Sequence, residues 1–158
     1  MCGIAGVFGI ENFPEGEAHS AALKMVDVMS HRGPNAKGIW SDNKNLSLGH
    51  SRLSVFDTES SEANQPLIDN PSGDALVFNG EIYNHAALRR ELEQGGHRFE
   101  WRGHSDTETL LAGIEVWGFE ATLKRSIGMF AMALWDRETR SLQLARDRLG
   151  EKPLFYGW

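Results

Sequence analysis

The chain has 158 residues and carries 16 lysines and arginines against 22 aspartates and glutamates, a formal net charge of −6 at pH 7. This length suits one globular domain, and the acidic balance argues against a nucleic-acid-binding protein that works by neutralising phosphates. No apolar run approaches the ~20 residues that cross a bilayer and no secretory signal opens the chain, so we expect a cytoplasmic protein without membrane contact.

The first half of the chain predicts several strands around one helix. Residues 4–8 form a short apolar segment between glycines, which predicts a strand that its neighbours approach closely. Apolar residues recur at helical spacing over 17–30, which predicts a helix with one buried face. Residues 39–40 and 46–56 predict strands, and a polar loop through 64–66 follows them.

The second half predicts two helices and four further strands. Asn84 is a candidate cap for a helix over 84–93, and Ser105 with Glu108 forms a capping box that opens a second helix. The strands are predicted at 75–78, 130–135, 141–145 and 154–156. Strands near both ends, with helices between and beside them, favour an α+β fold with antiparallel pairing.

The single cysteine, Cys2, directly follows the initiator methionine. Removal of Met1 would leave a thiol and a free α-amine on one residue, and an amine with a pKa of ~7.7–8.0 can take up the thiol proton near neutral pH. The alternative, from position alone, is a small residue near a mobile terminus. One cysteine cannot form an internal disulfide, and no Cys/His cluster has the spacing of zinc ligands, so we predict no metal site.

The dipeptide Asn79-Gly80 lies between two apolar segments and has two interpretations. Asn-Gly is the strongest short-range signal for a β-hairpin turn, and the dipeptide alone favours that structure. The alternative is that the asparagine amide and the glycine N–H point together at a developing oxyanion.

Two charged residues are also open to a structural and a functional interpretation. The guanidinium of Arg52 suits bidentate capture of a carboxylate, although its alternation with Leu53 and Val55 also allows an outward-facing strand residue. Asp106 is predicted to be the first helical residue after Ser105, where the helix dipole already favours an acidic side chain.

Taken together, several sequence blocks occur in the order found in one known family. They are Met1-Cys2-Gly3-Ile4-Ala5-Gly6-Val7-Phe8, His31-Arg32-Gly33-Pro34, Arg52-Leu53-Ser54, Asn64-Gln65-Pro66-Leu67, Asn79-Gly80-Glu81-Ile82-Tyr83-Asn84, Ser105-Asp106-Thr107-Glu108, Arg146-Asp147-Arg148-Leu149-Gly150 and Lys152-Pro153-Leu154. The chain resembles the glutaminase domain of class II glutamine amidotransferases, and in particular the glutamine-hydrolysing asparagine synthetase family. The resemblance covers nearly the whole chain. One departure is Asn35, where many relatives have aspartate, at a position to which no chemistry is assigned.

The resemblance implies an N-terminal-nucleophile hydrolase fold, a four-layer αββα sandwich with two antiparallel sheets. Residues 1–158 would form the glutaminase domain, which we expect to be truncated at its C-terminus. The synthetase domain of the family, with its ATP and Mg, is expected to be absent from this chain, so no cofactor is expected in residues 1–158.

The resemblance also implies a role for each of six residues. Cys2 would be the nucleophile, with its own α-amine as the base. The other five residues would form the rest of the site. Asn79 and Gly80 would make the oxyanion hole, Arg52 would bind the α-carboxylate, and Glu81 and Asp106 would bind the α-ammonium group.

The implied reaction is hydrolysis of glutamine to glutamate and ammonia, with the ammonia used by a synthetase domain in cis to make asparagine from aspartate. One alternative is an amidotransferase for another acceptor, such as an amino sugar or a glycan. Another is a non-catalytic module that binds glutamine without turnover, and a simple cysteine peptidase is disfavoured because the charged residues suit a free amino acid. A homodimer is compatible with the sequence.

Overall fold

In the computed structural model, residues 2–9, 11, 13–53, 64–69 and 72–157 are described. They form seven strands and four α-helices in the order β1 (Gly3–Phe8), α1 (Glu17–Val28), β2 (Ala36–Ser41), β3 (Leu46–Arg52), β4 (Leu67–Ile68), β5 (Ala75–Ile82), α2 (His85–Gln94), α3 (Asp106–Trp117), α4 (Phe119–Arg125), β6 (Gly128–Asp136) and β7 (Ser141–Arg146). No helix in these ranges is both long and apolar enough to cross a membrane.

The strands form two antiparallel sheets. The first has the order β1-β3-β2, and the second has the order β4-β5-β6-β7. The two central strands, β3 and β5, lie against each other across the interface between the sheets, while α1 packs on the first sheet and α3 on β5 of the second. The result is four layers: helix, sheet, sheet, helices.

Strand β5 contributes to a hydrophobic core on each of its two faces. Its even-numbered residues, such as Leu76 and Phe78, join Leu110 and Ile114 of α3 in the core under the helices. Its odd-numbered residues join β3 and β6 in the core between the sheets. Because side chains alternate along a strand, each residue's parity fixes which layer it faces.

Most predicted elements are confirmed, and the differences concern their lengths. The helix predicted over 17–30 is α1 followed by a 3-10 turn at Met29–His31, and the strand predicted over 46–56 is confirmed as far as Arg52. Residues 54–56 lie outside the described ranges. The strand predicted over 75–78 continues to Ile82 because β6 pairs with it along its whole length. The short helix α4 was not predicted.

The prediction of a strand over 154–156 is wrong, since these residues adopt no regular structure. Phe155 and Tyr156 are 90% and 79% exposed. Within the described ranges no strand pairs with this segment, and the backbone just before it is bound to the carboxylate of Asp147 instead of to a sheet. Apolar composition alone does not make a strand without a partner edge.

The predicted caps are confirmed in part. The Ser105 hydroxyl accepts a hydrogen bond from the Glu108 N–H at 3.2 Å, as a capping box requires. The Glu108 carboxylate does not close the box, because it accepts from Arg89 and from the backbone N–H groups of Arg102 and Gly103. The Asn84 side chain does not cap α2 but binds the backbone next to β6.

Candidate active site

A cavity of about 550 Å³ lies where β1, β3 and β5 meet the start of α3. Its lining includes all six residues to which the sequence assigned a role: Cys2, Arg52, Asn79, Gly80, Glu81 and Asp106. The structure therefore gathers segments that are up to 104 positions apart into one site, although their individual roles stay predictions.

Cys2 is half-buried directly before β1, with its thiol against the end of β3. The Sγ atom accepts a hydrogen bond from the Leu53 N–H at 3.4 Å and lies 3.7 Å from the Leu53 carbonyl oxygen. The Arg32 Nε donates to the Cys2 carbonyl oxygen at 3.2 Å, which fixes the backbone of the same residue. Met1 lies outside the described residues, so its removal stays a prediction.

Gly80 presents its backbone N–H at the open edge of β5. In an antiparallel strand, alternate residues direct their N–H and C=O groups to opposite edges. The Tyr83 N–H donates to the carbonyl of Ile127, so the odd-numbered residues of β5 face β6. The N and O atoms of Phe130, the partner of Gly80, are instead bound by Asp147. The Gly80 N–H therefore points away from β6, and no described residue accepts a hydrogen bond from it.

The interpretation of Asn79-Gly80 as a hairpin turn is wrong. Both residues lie inside β5, where Asn79 pairs with Ala131 and Gly80 with Phe130. Asn79 is an odd-numbered residue of β5, so its side chain points toward the first sheet and lines the cavity. There it forms no hydrogen bond with a described residue. The cavity thus offers two donors, the Asn79 amide and the Gly80 N–H, that have no acceptor in the part of the chain that the structure describes.

Arg52 faces the cavity and not the solvent, so the interpretation as an outward-facing strand residue is wrong. Its side chain follows Leu46 and Leu48 on the face of β3 that packs against β5, and the residue is only 8% exposed. One guanidinium nitrogen donates to the Asn64 Oδ1 at 3.1 Å. This placement brings a buried cation beside Cys2 and is compatible with the predicted carboxylate contact.

The predicted anionic contacts, Glu81 and Asp106, lie on different elements. Glu81 is exposed on β5, whereas Asp106 is half-buried at the first position of α3. Burial raises the pKa of the Asp106 carboxyl, and hydrogen bonds from the N–H groups of Ile82 and Thr107 offset part of that rise. The carboxylate therefore contributes both to the start of the helix and to the cavity wall.

The cavity lining also contains residues to which the sequence assigned no role, and four of them make contacts or are buried in a way that matters here: His50, Gln65, Thr107 and Lys152. His50 shares the face of Arg52, two positions earlier on β3, and its Nε2 lies 3.2 Å from the Phe78 carbonyl oxygen. Gln65 and Thr107 belong to the sequence blocks of the resemblance, but their contacts join segments 42 positions apart. Lys152 is only 5% exposed, which is unusual for lysine.

Asp147 organises the backbone behind the cavity. Its carboxylate accepts four hydrogen bonds, from the backbone N–H groups of Phe130, Leu149, Glu151 and Lys152. Burial alone would raise the pKa of this carboxyl, but the four donors lower it to about 2. Because Phe130 lies opposite Gly80 on β6, this carboxylate holds the strand that supports the free N–H.

Within the described residues, no three His, Cys, Asp or Glu side chains are arranged to hold a metal ion. The cavity combines a thiol, two hydrogen-bond donors without an acceptor among the described residues, the basic side chains of Arg52 and Lys152, and two carboxylates. Chemically, this set can attack a carbonyl carbon, stabilise the resulting oxyanion and hold an amino acid by both of its charged groups.

Comparison with curated proteins identifies relatives along nearly the whole chain. Asparagine synthetase 3 (glutamine-hydrolyzing) of Bacillus subtilis is 40% identical over 158 residues, which cover 99% of this chain and 25% of that protein. Asparagine synthetase B of Escherichia coli is also 40% identical, over 100% of this chain and 27% of that protein. Amidase chry2 of Gibberella zeae is 36% identical, over 99% of this chain and 24% of that protein. The chain thus spans about a quarter of the length of the curated relatives it matches.

Comparison with solved structures confirms the fold. The glutamine phosphoribosylpyrophosphate amidotransferase of Bacillus subtilis superposes with a TM-score of 0.71 over 93% of this chain and 37% of that one, at 21% identity. The predicted αββα sandwich with two antiparallel sheets is therefore confirmed. A family model described as a glutamine amidotransferase domain matches residues 1–158, and the chain belongs to that family.

Proposed function

We propose that this chain hydrolyses the side-chain amide of glutamine to glutamate and ammonia, with Cys2 as the nucleophile. The observation that carries the proposal is the gathering of the Cys2 thiol, the Gly80 N–H and the Asn79 amide in one cavity with a buried arginine. Membership of the glutamine amidotransferase family supports the choice of substrate.

The chemistry proceeds in two steps. After removal of Met1, the α-amine of Cys2 takes the thiol proton, and the thiolate attacks the amide carbon. The oxyanion that forms accepts hydrogen bonds from Asn79 and Gly80, and the C–N bond then breaks as the nitrogen receives the proton and leaves as ammonia. Water attacks the γ-glutamyl thioester in the second step, which releases glutamate and regenerates the thiol.

The charged residues account for the selection of a free amino acid. Glutamine is a zwitterion, so a complementary site needs a cation for the α-carboxylate and at least one anion for the α-ammonium group. Arg52 supplies the cation, and Glu81 and Asp106 supply the anions, all from the lining of the same cavity. A residue within a peptide chain lacks both charges and so does not complement these charged side chains.

The ammonia would serve a larger enzyme. The relatives named asparagine synthetase are about four times as long as this chain, which supports a synthetase domain in cis that amidates aspartate to asparagine. The ATP and magnesium for that step would act in the synthetase domain, outside residues 1–158. Identification of the acceptor requires an assay of asparagine formation with purified complete protein.

The glutaminase proposal is tested by measuring glutamate release from the complete protein with verified removal of Met1. We expect Cys2→Ala to abolish release, and a glutamine analogue with an electrophilic carbon at the amide position to add to Cys2, as seen by intact mass. A protein whose N-terminus is permanently blocked should be equally inactive, because an amide nitrogen cannot accept the thiol proton. Glutamine binding without glutamate release would refute the proposal, and full activity of a blocked protein of verified mass would refute the α-amine as the base.

A further inference from the structure

The edge of β5 that carries the Gly80 N–H is only partly covered by a strand. Strand β4 pairs with Ala75 and Leu76 and then ends. Beyond it, the residues that face this edge are Phe78, Gly80 and Ile82, by the same alternation that orients Gly80. Among the described residues, side chains accept hydrogen bonds from two of these three N–H groups, and none accepts from the third.

The two flanking N–H groups have different acceptors. The Phe78 N–H donates to the Gln65 Oε1 at 2.6 Å, and the Ile82 N–H donates to the Asp106 Oδ2 at 2.9 Å. Side-chain oxygens therefore stand where the carbonyls of a neighbouring strand would be. The Gly80 N–H, between them, is left for a ligand.

These two acceptors are joined through Thr107. The Gln65 Nε2 donates to the Thr107 Oγ1 at 3.4 Å, and this hydroxyl donates to the Asp106 Oδ1 at 3.3 Å. The hydrogen bonds thus run without interruption from Phe78 to Ile82 and pass around Gly80. Gln65 and Thr107 are 9% and 6% exposed, so bulk water is a poor substitute for either partner.

The direction of each hydrogen bond between Phe78 and Ile82 in this network is fixed. Because the Phe78 N–H is a donor, the Gln65 atom that faces it is the carbonyl oxygen, and the amide nitrogen must face Thr107. The Thr107 hydroxyl accepts that hydrogen bond and donates its own to Asp106. Both oxygens of Asp106 therefore act as acceptors. Gln65→Met or Thr107→Val keeps the approximate shape of the side chain and removes its hydrogen bonds.

We propose that Gln65 and Thr107 are positioning residues for the oxyanion hole, an inference that rests on the proposed glutaminase function. By holding the peptide groups on both sides of Gly80, they fix the direction of its N–H without donating to the oxyanion themselves. A donor in an oxyanion hole acts only on charge that develops in the transition state, and misplacement by about 1 Å is costly. They also connect the oxyanion hole to Asp106, the predicted ammonium contact.

The test measures kcat and KM for glutamate release with four variants of the complete protein. Gln65→Met and Thr107→Val should each lower kcat about 10-fold or more, and Gln65→Met should change KM far less. Thr107→Ser keeps the hydroxyl and should restore most of the activity. Thr109→Val is the matched control, since Thr109 is also buried on α3 but its hydroxyl donates to the Ser105 carbonyl at 3.3 Å, outside this network of hydrogen bonds.

The double variant adds a readout that loss of packing alone would not produce. If both residues act through one chain of bonds, Gln65→Met combined with Thr107→Val should be no slower than the worse single variant. Wild-type kcat in both single variants, an equal loss in Thr109→Val, or failure of Thr107→Ser to recover would overturn the inference. If Gln65→Met does not fold, the three threonine variants decide. A wild-type protein that releases no glutamate would refute the proposed function itself, and the inference with it.

Discussion

Acidification should destabilise this fold through His50, the residue that joins the central strands of the two sheets. His50 is 1% exposed on β3, and its Nε2 lies 3.2 Å from the carbonyl oxygen of Phe78 on β5. Burial lowers the pKa of the imidazole from 6.5 to about 4, and the nearby charge of Arg52 lowers it too, against the opposing effect of the Phe78 hydrogen bond. The folded protein therefore holds His50 neutral, with Nε2 as the donor.

The sign and size of the effect follow from linkage. Between pH 6.5 and pH 4 the unfolded chain binds the His50 proton and the folded chain does not, so the free energy of unfolding falls as the pH falls. The contribution is fully present above the unfolded pKa and is lost as the pH falls through the folded pKa. Between pH 7 and pH 5 the expected loss is about 2 kcal/mol from this residue alone.

The assay compares urea unfolding of the wild type and His50→Gln at pH 7, 6 and 5. The glutamine Nε2 can still donate to the Phe78 carbonyl but does not titrate, and all carboxylates are common to both proteins. We expect the wild type to lose about 2 kcal/mol more than the variant over this range, at unchanged m-values. Parallel pH profiles for the two proteins would refute a neutral, buried His50.

Three further substitutions test separate parts of the site. Arg52→Lys should lower kcat/KM for glutamine strongly although the charge is kept, because a planar bidentate fork is lost, and wild-type kcat/KM would refute its assignment to the α-carboxylate. Asn79→Ala should lower kcat by ~10²–10³ with little change in KM, whereas an effect on KM alone would exclude Asn79 from the oxyanion hole. Asp147→Asn replaces one acceptor oxygen by an NH2 group, which faces backbone N–H groups that are also donors. This change should lower the unfolding free energy measured in urea by about 2–5 kcal/mol, and unchanged stability would contradict the role of the carboxylate.

The sequence predicted the identity of the site residues better than it predicted their local structure. Asn79-Gly80 favoured a hairpin because a dipeptide signal describes only the chain next to it. What makes it a strand is pairing with β6, about 50 positions later in the sequence. Its relation to the other blocks, and not its local signal, indicated a role in the site.

Arg52 illustrates a second limit of sequence patterns. Alternation identifies the inner face of a strand only when the other face is exposed to solvent. All seven residues of β3 are buried, because α1 covers one face and β5 lies across the other. A period of two therefore could not decide where Arg52 points. The same reason explains why His50 and the contact of Gln65 with Thr107 were not predicted, since each depends on a distant segment.

The last prediction concerns the glycine itself. A Cβ atom at Gly80 would overlap the Met129 carbonyl oxygen and lie 2.6 Å from the Phe130 Cα, both backbone atoms of β6. Backbone cannot move aside as a flexible side chain does, so Gly80→Ala should push β5 and β6 apart at this point and redirect the Gly80 N–H. We expect a loss of about 1–3 kcal/mol in unfolding free energy and a fall in kcat that persists under conditions where the variant is fully folded. Gly103→Ala is the matched control, since nothing lies within 4 Å of its Cβ position, and its stability should stay within about 0.5 kcal/mol of the wild type. Wild-type stability and kcat for Gly80→Ala would show that β6 does not hold the oxyanion donor in place.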